Sequence, residues 1–187
     1  MSDLMGPVVG DYVGTLRVQA LPPQGMVTLR GDLADPTLRA VVQGAAGVAV
    51  PMTRRADFSG ARGAMWMSLD ELLITCAYAE ASGLAAQMAT GLADTHALAV
   101  DVSDARAVFV LTGAGVRDVI AKLAPVDMAV GHFNAGDVRR TRFGQIAAAF
   151  WMVSDTEVRI ICFRSVGEYM FDMLCHAADS DGAIAVL

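Results

Sequence analysis

Thiol and imidazole side chains are the groups in this sequence best suited to nucleophilic or metal chemistry, and there are three of each. The cysteines are Cys76, Cys162 and Cys175. A reactive thiol needs surroundings that favour the thiolate. Cys76 and Cys162 instead fall within apolar runs, and the sequence contains no Cys-x-x-Cys pair and no Gly-x-Ser-x-Gly elbow. The pattern predicts small buried thiols without a nucleophilic role.

The three histidines, His96, His132 and His176, are isolated from one another along the chain. None belongs to a His-Glu-x-x-His motif or to a Cys/His spacing typical of zinc sites. Cys175 and His176 are adjacent, but neighbouring side chains on a helix point in different directions. The sequence therefore predicts no metal-binding residue.

A glycine-rich turn at residues 112–115 follows a predicted strand and opens a predicted helix, which is the setting of a phosphate-binding loop. Asp118 stands where the third glycine of a dinucleotide fingerprint is expected, and its carboxylate would repel a pyrophosphate. A tight strand-to-helix turn explains these glycines without a ligand. We therefore predict no cofactor-binding residue here.

Four acidic residues carry the side-chain type that acts as a general acid or base: Asp70, Glu71, Asp101 and Asp104. All four lie at predicted turns, where acidic residues are common because their side chains accept hydrogen bonds from nearby backbone amides. They do not form the paired arrangement that acid–base catalysis requires. We predict no catalytic residue in this chain.

The charge of the chain argues against a nucleic-acid partner. Its net charge is −6 and its pI is about 4.9. Phosphate binding requires a clustered positive surface, and the one basic run is Arg139, Arg140 and Arg142. We interpret that run as a solvated strand face.

The apolar content is unusually high and favours a protein partner. Hydrophobic residues make up 55% of the sequence before its 18 glycines are counted, whereas apolar residues including glycine make up about 45–50% of an ordinary domain. A chain of this size cannot easily bury so much apolar surface. Exposed apolar patches usually mark protein interfaces, so a permanent partner is expected.

The same apolar residues do not predict a membrane protein. Uncharged stretches such as residues 41–53 and 146–154 fall short of the ~20 residues that a spanning helix needs. The N-terminal residues 1–7 lack the positive and apolar regions of a secretory signal. A cytoplasmic location is the expectation.

The cysteine, histidine and acidic side chains considered above would be positioned by alternating helices and strand pairs. Asp35 suits an N-cap and Pro36 a first helical position, so a helix is predicted over residues 36–46. The other predictions for this half are a strand at 26–29, a polar loop at 53–63, strands at 64–67 and 72–76 joined by a turn at 68–71, and an Ala-rich helix at 77–92.

The second half repeats the alternation. The predictions are an antiparallel hairpin of 96–102 with 106–111, an amphipathic helix at 116–123 ending before Pro125, a long strand at 138–153 paired with 157–163, and a helix at 166–177. Ser165 and Glu168 have the spacing of a capping box at the start of that last helix.

This order predicts an α+β fold with a mostly antiparallel sheet and helices on one side. Residues 1–25, ending at Pro22 and Pro23, are interpreted as an extended N-terminal arm. Residues 26–187 are interpreted as a single domain, with two small lobes at 26–93 and 94–187 as the alternative.

A set of short motifs connects the chain to a known family. The motifs are Val102-Ser103, Ala105-Arg106-Ala107, residues 109–113, residues 117–123, Pro125-Val126-Asp127, Phe133, Gly136, Thr141, Arg164-Ser165, Glu168-Tyr169 and Leu174, with Leu29-Arg30-Gly31 and Trp66. In these residues the chain resembles the gamma subunits of heterotetrameric sarcosine oxidases. The resemblance covers about residues 26–178.

The resemblance implies a fold similar to the folate-binding domain of the aminomethyltransferase (T-protein) group. It also implies a noncatalytic subunit that supports a complex with alpha, beta and delta subunits. In this family alpha holds NAD and a folate site, beta holds FAD, FMN is attached covalently near their interface and delta binds zinc, whereas gamma carries no known cofactor. The complex oxidises sarcosine with O2 and water to glycine, formaldehyde and H2O2, or passes the one-carbon unit to tetrahydrofolate. The isolated chain is therefore expected to be inactive.

One turn departs from the family pattern. Relatives carry a Gly-Pro-Asp-Glu-Trp-like stretch after Trp66, where this chain has Ser68-Leu69-Asp70-Glu71-Leu72, so a different shape of this edge is expected. Two alternatives remain: a standalone folate-binding aminomethyltransferase-like protein, and an independent binding module. The first predicts a longer chain and a Lys-Gly-Cys-Tyr-type motif, which does not surround any of the cysteines.

Overall fold

The structure, a computed structural model, describes residues 8–179, and in that range the chain forms eleven β-strands and four α-helices. The strands are β1 (Gly10–Val13), β2 (Arg17–Ala20), β3 (Gly25–Arg30), β4 (Ala56–Ser59), β5 (Arg62–Ser68), β6 (Glu71–Cys76), β7 (Leu98–Asp101), β8 (Arg106–Thr112), β9 (Val138–Phe143), β10 (Ile146–Ser154) and β11 (Glu157–Phe163). The helices are α1 (Pro36–Ala46), α2 (Ala81–Gly91), α3 (Val116–Leu123) and α4 (Gly167–Ala177).

The strands form two antiparallel sheets, one in each of two compact units. Residues 24–103 carry a five-stranded sheet in the order β4-β5-β6-β3-β7. Residues 8–23 and 104–179 carry a six-stranded sheet in the order β1-β2-β8-β11-β10-β9. The predicted α+β class is confirmed, while the single sheet of the prediction is in fact two sheets.

The segment interpreted as an arm contains two strands within its described part, residues 8–25. β2 is an inner strand that pairs with β8 from Arg17↔Thr112 to Ala20↔Phe109. Leu16 and Val18 are buried in the core of that unit. The chain passes from one unit to the other between residues 23 and 24 and again between residues 103 and 104. The two-lobe alternative placed a single boundary between residues 93 and 94.

Helix α1 confirms the prediction made from its start signal. The Asp35 carboxylate accepts hydrogen bonds from the amides of Thr37 at 2.7 Å and Leu38 at 3.0 Å, which satisfies two otherwise unpaired donors of the first turn. Leu38 and Val42 on its inner face are fully buried. α1 and α2 pack against the five-stranded sheet and form its core with β3, β5 and β6.

The predicted hairpin of residues 96–102 with 106–111 is wrong. β7 pairs with β3 in the five-stranded sheet, and β8 pairs with β2 and β11 in the six-stranded sheet. Between them the Asp101 carboxylate accepts hydrogen bonds from the Ser103 amide and hydroxyl, and a 3-10 turn follows at Ser103–Ala105. These polar residues therefore form a crossing between units and not a hairpin turn.

The predicted long strand at residues 138–153 is two strands, β9 and β10, joined by a two-residue turn. Phe143 pairs with Ile146, and Gly144 between them has a φ of 54°, the left-handed conformation that glycine adopts without strain. The predicted pairing with the next strand is confirmed, because β10 pairs with β11 from Ala148↔Cys162 onwards.

Two local predictions are corrected. The loop expected at residues 53–63 contains β4, which apolar alternation does not reveal because Ala56 is its one buried residue. The capping box of Ser165 and Glu168 does not form, because Ser165 lies in a 3-10 turn and α4 begins at Gly167 after the cap residue Val166, without a side-chain cap.

The core of the six-stranded sheet is rich in aromatic residues. The Phe150 ring lies 4.9 Å from the Phe133 ring and 5.5 Å from the Phe143 ring between centroids, the second pair in edge-to-face geometry. α3 adds Val116, Val119 and Ile120 as its buried residues, which confirms the predicted amphipathic helix. α4 contributes its own buried face to the same core.

Candidate functional site

The cysteines are placed where thiol chemistry is suppressed. Cys76 in β6 and Cys162 in β11 are buried, and Cys175 in α4 is half-buried. Burial raises the pKa of the Cys162 thiol to about 11. Burial is also the main cause of the raised pKa of Cys76 and of Cys175. These thiols stay protonated at neutral pH and act as small apolar side chains.

The three histidines belong to different segments of the fold. His96 is exposed two residues before β7, and His176 is exposed in the last turn of α4. The His132 Nδ1 lies 2.8 Å from the Asp127 carboxylate at the surface. Within residues 8–179, no three His, Cys, Asp or Glu side chains come together as a possible metal site.

The glycine-rich turn is shaped by packing. Gly113 has a φ of 149°, and its amide donates to the Thr156 carbonyl at 2.9 Å. A Cβ atom on Gly113 would lie 2.7 Å from the Leu16 Cβ. Gly113 is explained by the close approach of two backbone segments at the turn between β8 and α3.

The acidic residues at turns hold local backbone and ion-pair contacts. The Ser68 hydroxyl donates to Asp70 at 2.6 Å. Glu71 is buried, and the Arg30 guanidinium lies 2.8 Å from its carboxylate. This pair joins neighbouring strands β3 and β6 at their register position Arg30↔Glu71.

The arginine run lies on β9, an edge strand of the six-stranded sheet. Arg140 and Arg142 are exposed, and the Arg139 guanidinium lies 5.1 Å from the centre of the Phe133 ring. Charged residues on an edge strand discourage unwanted pairing with other chains. The interpretation as a solvated strand face is consistent with this position.

Sequence reasoning did not single out the structural role of Arg117. Its guanidinium donates to the carbonyls of Met128 and Phe133, both at 2.8 Å, and to Asp155 at 2.9 Å. The side chain is 13% exposed. Arg117 therefore connects the loop that follows α3 to the turn between β10 and β11.

Two neighbouring grooves open on the unit formed by residues 24–103. One, of about 690 Å³, is lined by Arg30, Asp32, Leu69, Asp70, His96 and Leu98. The other, of about 720 Å³, is lined by Asp32, Leu33, Pro51, Met52, Trp66 and Leu69. Asp32 and Leu69 line both, so the two grooves adjoin each other.

Large apolar side chains protrude around these grooves. Leu69 is 84% exposed, Met52 is 76% exposed and Leu98 is 56% exposed. Leu69 lies at the tip of the β5–β6 turn, where the sequence departs from its family pattern. Leu69 was not identified from the sequence, although an apolar residue in an otherwise polar turn is a signal that could have identified this surface. We call the two grooves with Leu69, Met52 and Leu98 the apolar groove surface.

Exposed apolar residues also occur in the other unit. They are Val9, Val13, Val130, Val153, Phe163, Val166 and Tyr169. Such residues mark a protein interface where they form a contiguous patch, whereas singly exposed ones are normal on any protein surface. No helix within residues 8–179 is long and apolar enough to cross a membrane.

A comparison with protein families identifies the family of this chain. The family model described as "Sarcosine oxidase, gamma subunit family" matches residues 30–180. No curated protein sequence matches the chain.

Solved structures share the fold at low sequence identity. A chain of the heterotetrameric sarcosine oxidase from Corynebacterium sp. U-96, in complex with pyrrole 2-carboxylate, has a TM-score of 0.80 and 22% identity, with 95% of this chain and 91% of that chain covered. The glycine cleavage system aminomethyltransferase T from Bartonella henselae has a TM-score of 0.58 and 10% identity, with 83% of this chain and 44% of that chain covered. The predicted similarity to the aminomethyltransferase fold is thereby confirmed.

Proposed function

Because the chain belongs to the sarcosine oxidase gamma subunit family, we propose that it acts as the gamma subunit of a heterotetrameric sarcosine oxidase. The complex would convert sarcosine, O2 and water into glycine, formaldehyde and H2O2, or deliver the one-carbon unit to tetrahydrofolate. Its partners would be the alpha, beta and delta subunits, in the cytoplasm. The family match is the observation that carries this proposal.

Within that complex the chain would support assembly and leave the chemistry to its partners. FAD, FMN, NAD and zinc would be held by the other subunits, and no residue of this chain would be catalytic, cofactor-binding or metal-binding. The buried protonated thiols and the locally paired acidic residues support this division of roles.

Exposed apolar side chains supply the physical reason for association. Fully burying a Leu or Met side chain is worth about 1.5–3 kcal/mol. Leu69 and Met52 are both mostly exposed in the chain alone. Covering such groups with a partner would offset part of the entropy lost on association.

Co-expression tests the proposal. We expect an affinity-tagged chain, produced with the other three subunits, to retain them in equal amounts, with bound flavin and sarcosine-dependent H2O2 formation. Leaving this chain out should lower the yield of intact complex, and the chain alone should show no turnover. A chain that is stable and monomeric alone and retains no flavoprotein contradicts the proposal.

Tetrahydrofolate provides a control for the standalone alternative. Calorimetric titration of the isolated chain should give no saturable heat. Saturable binding with turnover by the chain alone would instead identify a folate enzyme.

A further inference from the structure

The six-stranded sheet has one face directed away from the core that it forms with α3 and α4. Phe143, at the end of β9, belongs to that core. Successive side chains of a strand lie on opposite faces of its sheet. Arg142, the neighbour of Phe143, therefore lies on the face away from the core together with Arg140, and both arginines are exposed.

A row of side chains crosses this face at one end of the strands. Arg142 of β9 pairs with Ala147 of β10, and Phe163 of β11 pairs with Arg106 of β8. The register between β10 and β11 places Ala147 beside Phe163. Paired residues share a face, so the order across the sheet is Arg142, Ala147, Phe163 and Arg106. We call these four residues the arginine row.

The arginine row combines exposed apolar surface with positive charge. Phe163 is 48% exposed, and the Arg106 guanidinium lies 4.3 Å from the centre of its ring. Ala147 is exposed as well. Its methyl group is much shorter than the side chains of Arg142 and Phe163 on either side, so it leaves a shallow notch between them. An apolar group that enters this notch has a cation on each side.

This face of the sheet is positively charged although the chain is acidic. On β8 to β11 its charged residues are Arg106, Arg140, Arg142, Arg159 and Glu157. Glu157 pairs with Arg159 at 3.1 Å, and the remaining strands β1 and β2 add Arg17 and Asp11, which pair with each other. Five arginines and two acidic residues leave a net charge of +3 on the face, against −6 for the whole chain.

The charge of Arg142 is not neutralised by a neighbour, since no carboxylate within residues 8–179 forms an ion pair with it. Arginine and aromatic residues are enriched among those that contribute most to protein interfaces. A guanidinium binds a carboxylate through two parallel hydrogen bonds. The arginine row is therefore suited to a protein segment that carries carboxylates.

The same charge disfavours two other occupants. A two-fold symmetric dimer pairs the same patch on both chains, so a second copy bound in this way would bring two sets of arginines together. Like charges in contact oppose binding. A nucleic acid would have to approach a chain whose net charge of −6 repels its phosphates. An acidic segment of a different protein meets neither obstacle.

We propose that an acidic segment of a partner subunit docks on the arginine row. The inference rests on the proposed function. Carboxylates of the segment pair with Arg142 and with Arg140 beside it, and an apolar side chain of the segment fills the notch at Ala147 against Phe163. The apolar contact excludes water from the ion pairs, which strengthens them.

Charge reversal tests the arginine row in the co-expressed complex. The double variant Arg140→Glu/Arg142→Glu should keep its fold by circular dichroism and weaken retention of the partner subunits by about tenfold or more, because two attractions become repulsions. Arg142→Lys keeps the charge and should retain the partners far better than the double variant. Arg39→Glu is the matched control, because Arg39 is an exposed arginine on α1, and this variant should retain the partners.

Arginine modification with phenylglyoxal provides a readout that does not depend on any variant folding. Arg142 is exposed in the chain alone and should react there. In the wild-type complex it should be protected, because the docked segment covers its guanidinium. Raising the salt concentration should also weaken retention of the partners, since it screens exposed charges before they meet.

The outcomes separate the inference from the proposed function. Wild-type retention of the subunits, with undiminished retention by the double variant and an unprotected Arg142, would overturn the inference alone. Failure of the wild-type chain to retain any subunit would overturn both. A loss by Arg39→Glu equal to that of the double variant would show an unspecific effect of charge and overturn the inference. Protection of Arg142 by a second copy or by nucleic acid, in place of a subunit, would overturn it as well.

Discussion

Gly113 lies directly against Leu16, so that a Cβ atom at position 113 would fall 2.7 Å from the Leu16 Cβ. The two residues belong to the same unit although the whole of the other unit, residues 24–103, lies between them in the sequence. This contact fixes where the strand β8 ends and the turn into α3 begins.

Gly113→Ala should destabilise the chain by at least about 1–3 kcal/mol, because an L-residue is strained at a φ of 149° and the new methyl group meets Leu16. The measurement is chemical denaturation followed by circular dichroism. Gly115→Ala is the control, since Gly115 has a negative φ and nothing lies within 4 Å of a Cβ there. Equal losses in the two variants would contradict this account of the turn.

Arg117→Met should destabilise the chain by roughly 2–4 kcal/mol, because the carbonyls of Met128 and Phe133 would both lose their donor. Denaturant melts measure the loss, and proteolysis should cut the loop at residues 125–137 sooner. Asp155→Ala is the comparison. Asp155 is 86% exposed, so its ion pair should be worth no more than about 1 kcal/mol. A larger effect from Asp155→Ala than from Arg117→Met would show that the ion pair holds the loop.

Cys162 should make stability fall at alkaline pH. Its thiol has a pKa near 11 when folded and about 9.0 when exposed, because burial disfavours the thiolate. The folded state therefore holds the proton more tightly, and this contribution is complete below pH 9 and is lost as the pH rises towards 11. Between these values the wild type should lose about 1–2 kcal/mol more than Cys162→Ala. Parallel pH profiles for the two proteins would exclude a buried thiol at this position.

Phe150→Ala should cost about 3–5 kcal/mol, because it removes a fully buried ring that contacts Phe133 and Phe143. Thermal denaturation of the purified variant measures the loss. Val153→Ala on the same strand serves as the control, since Val153 is partly exposed and its truncation should cost less than about 1 kcal/mol. A loss from Phe150→Ala as small as that of the control would mean that this core is loosely packed.

Local signals in the sequence predicted those elements whose boundaries are set by nearby residues. The start of α1 follows from Asp35 and Pro36, and the amphipathic stripe of α3 follows from Val116, Val119 and Ile120. In both cases the determining contacts lie within one or two helical turns. Sequence periodicity records such contacts directly.

Strand pairing was less predictable, because it depends on distant residues. β7 and β8 look like a hairpin in the sequence. In the structure β7 pairs with β3, whereas β8 pairs with β2 and β11. Both sheets also contain strands buried at nearly every position, such as β6, so apolar alternation does not reveal which side faces a helix.

The sequence predicted that the chain has an exposed apolar surface, but it did not predict where that surface lies. Composition indicated excess apolar surface, but it did not identify Leu69, or any other residue, as part of that surface. The grooves require Leu69, Met52 and Leu98 from three separate segments, and no spacing rule relates those segments.

The pairing of β2 with β8 has a consequence for how the chain is made. These strands flank residues 24–103, so the six-stranded sheet is interrupted in the gene by a whole second unit. On the ribosome, the inner unit emerges complete while β2 still awaits its neighbour, and domains generally fold as units during synthesis. During synthesis, residues 24–103 should therefore fold first, and the N-terminal strands β1 and β2 should be among the last to pair.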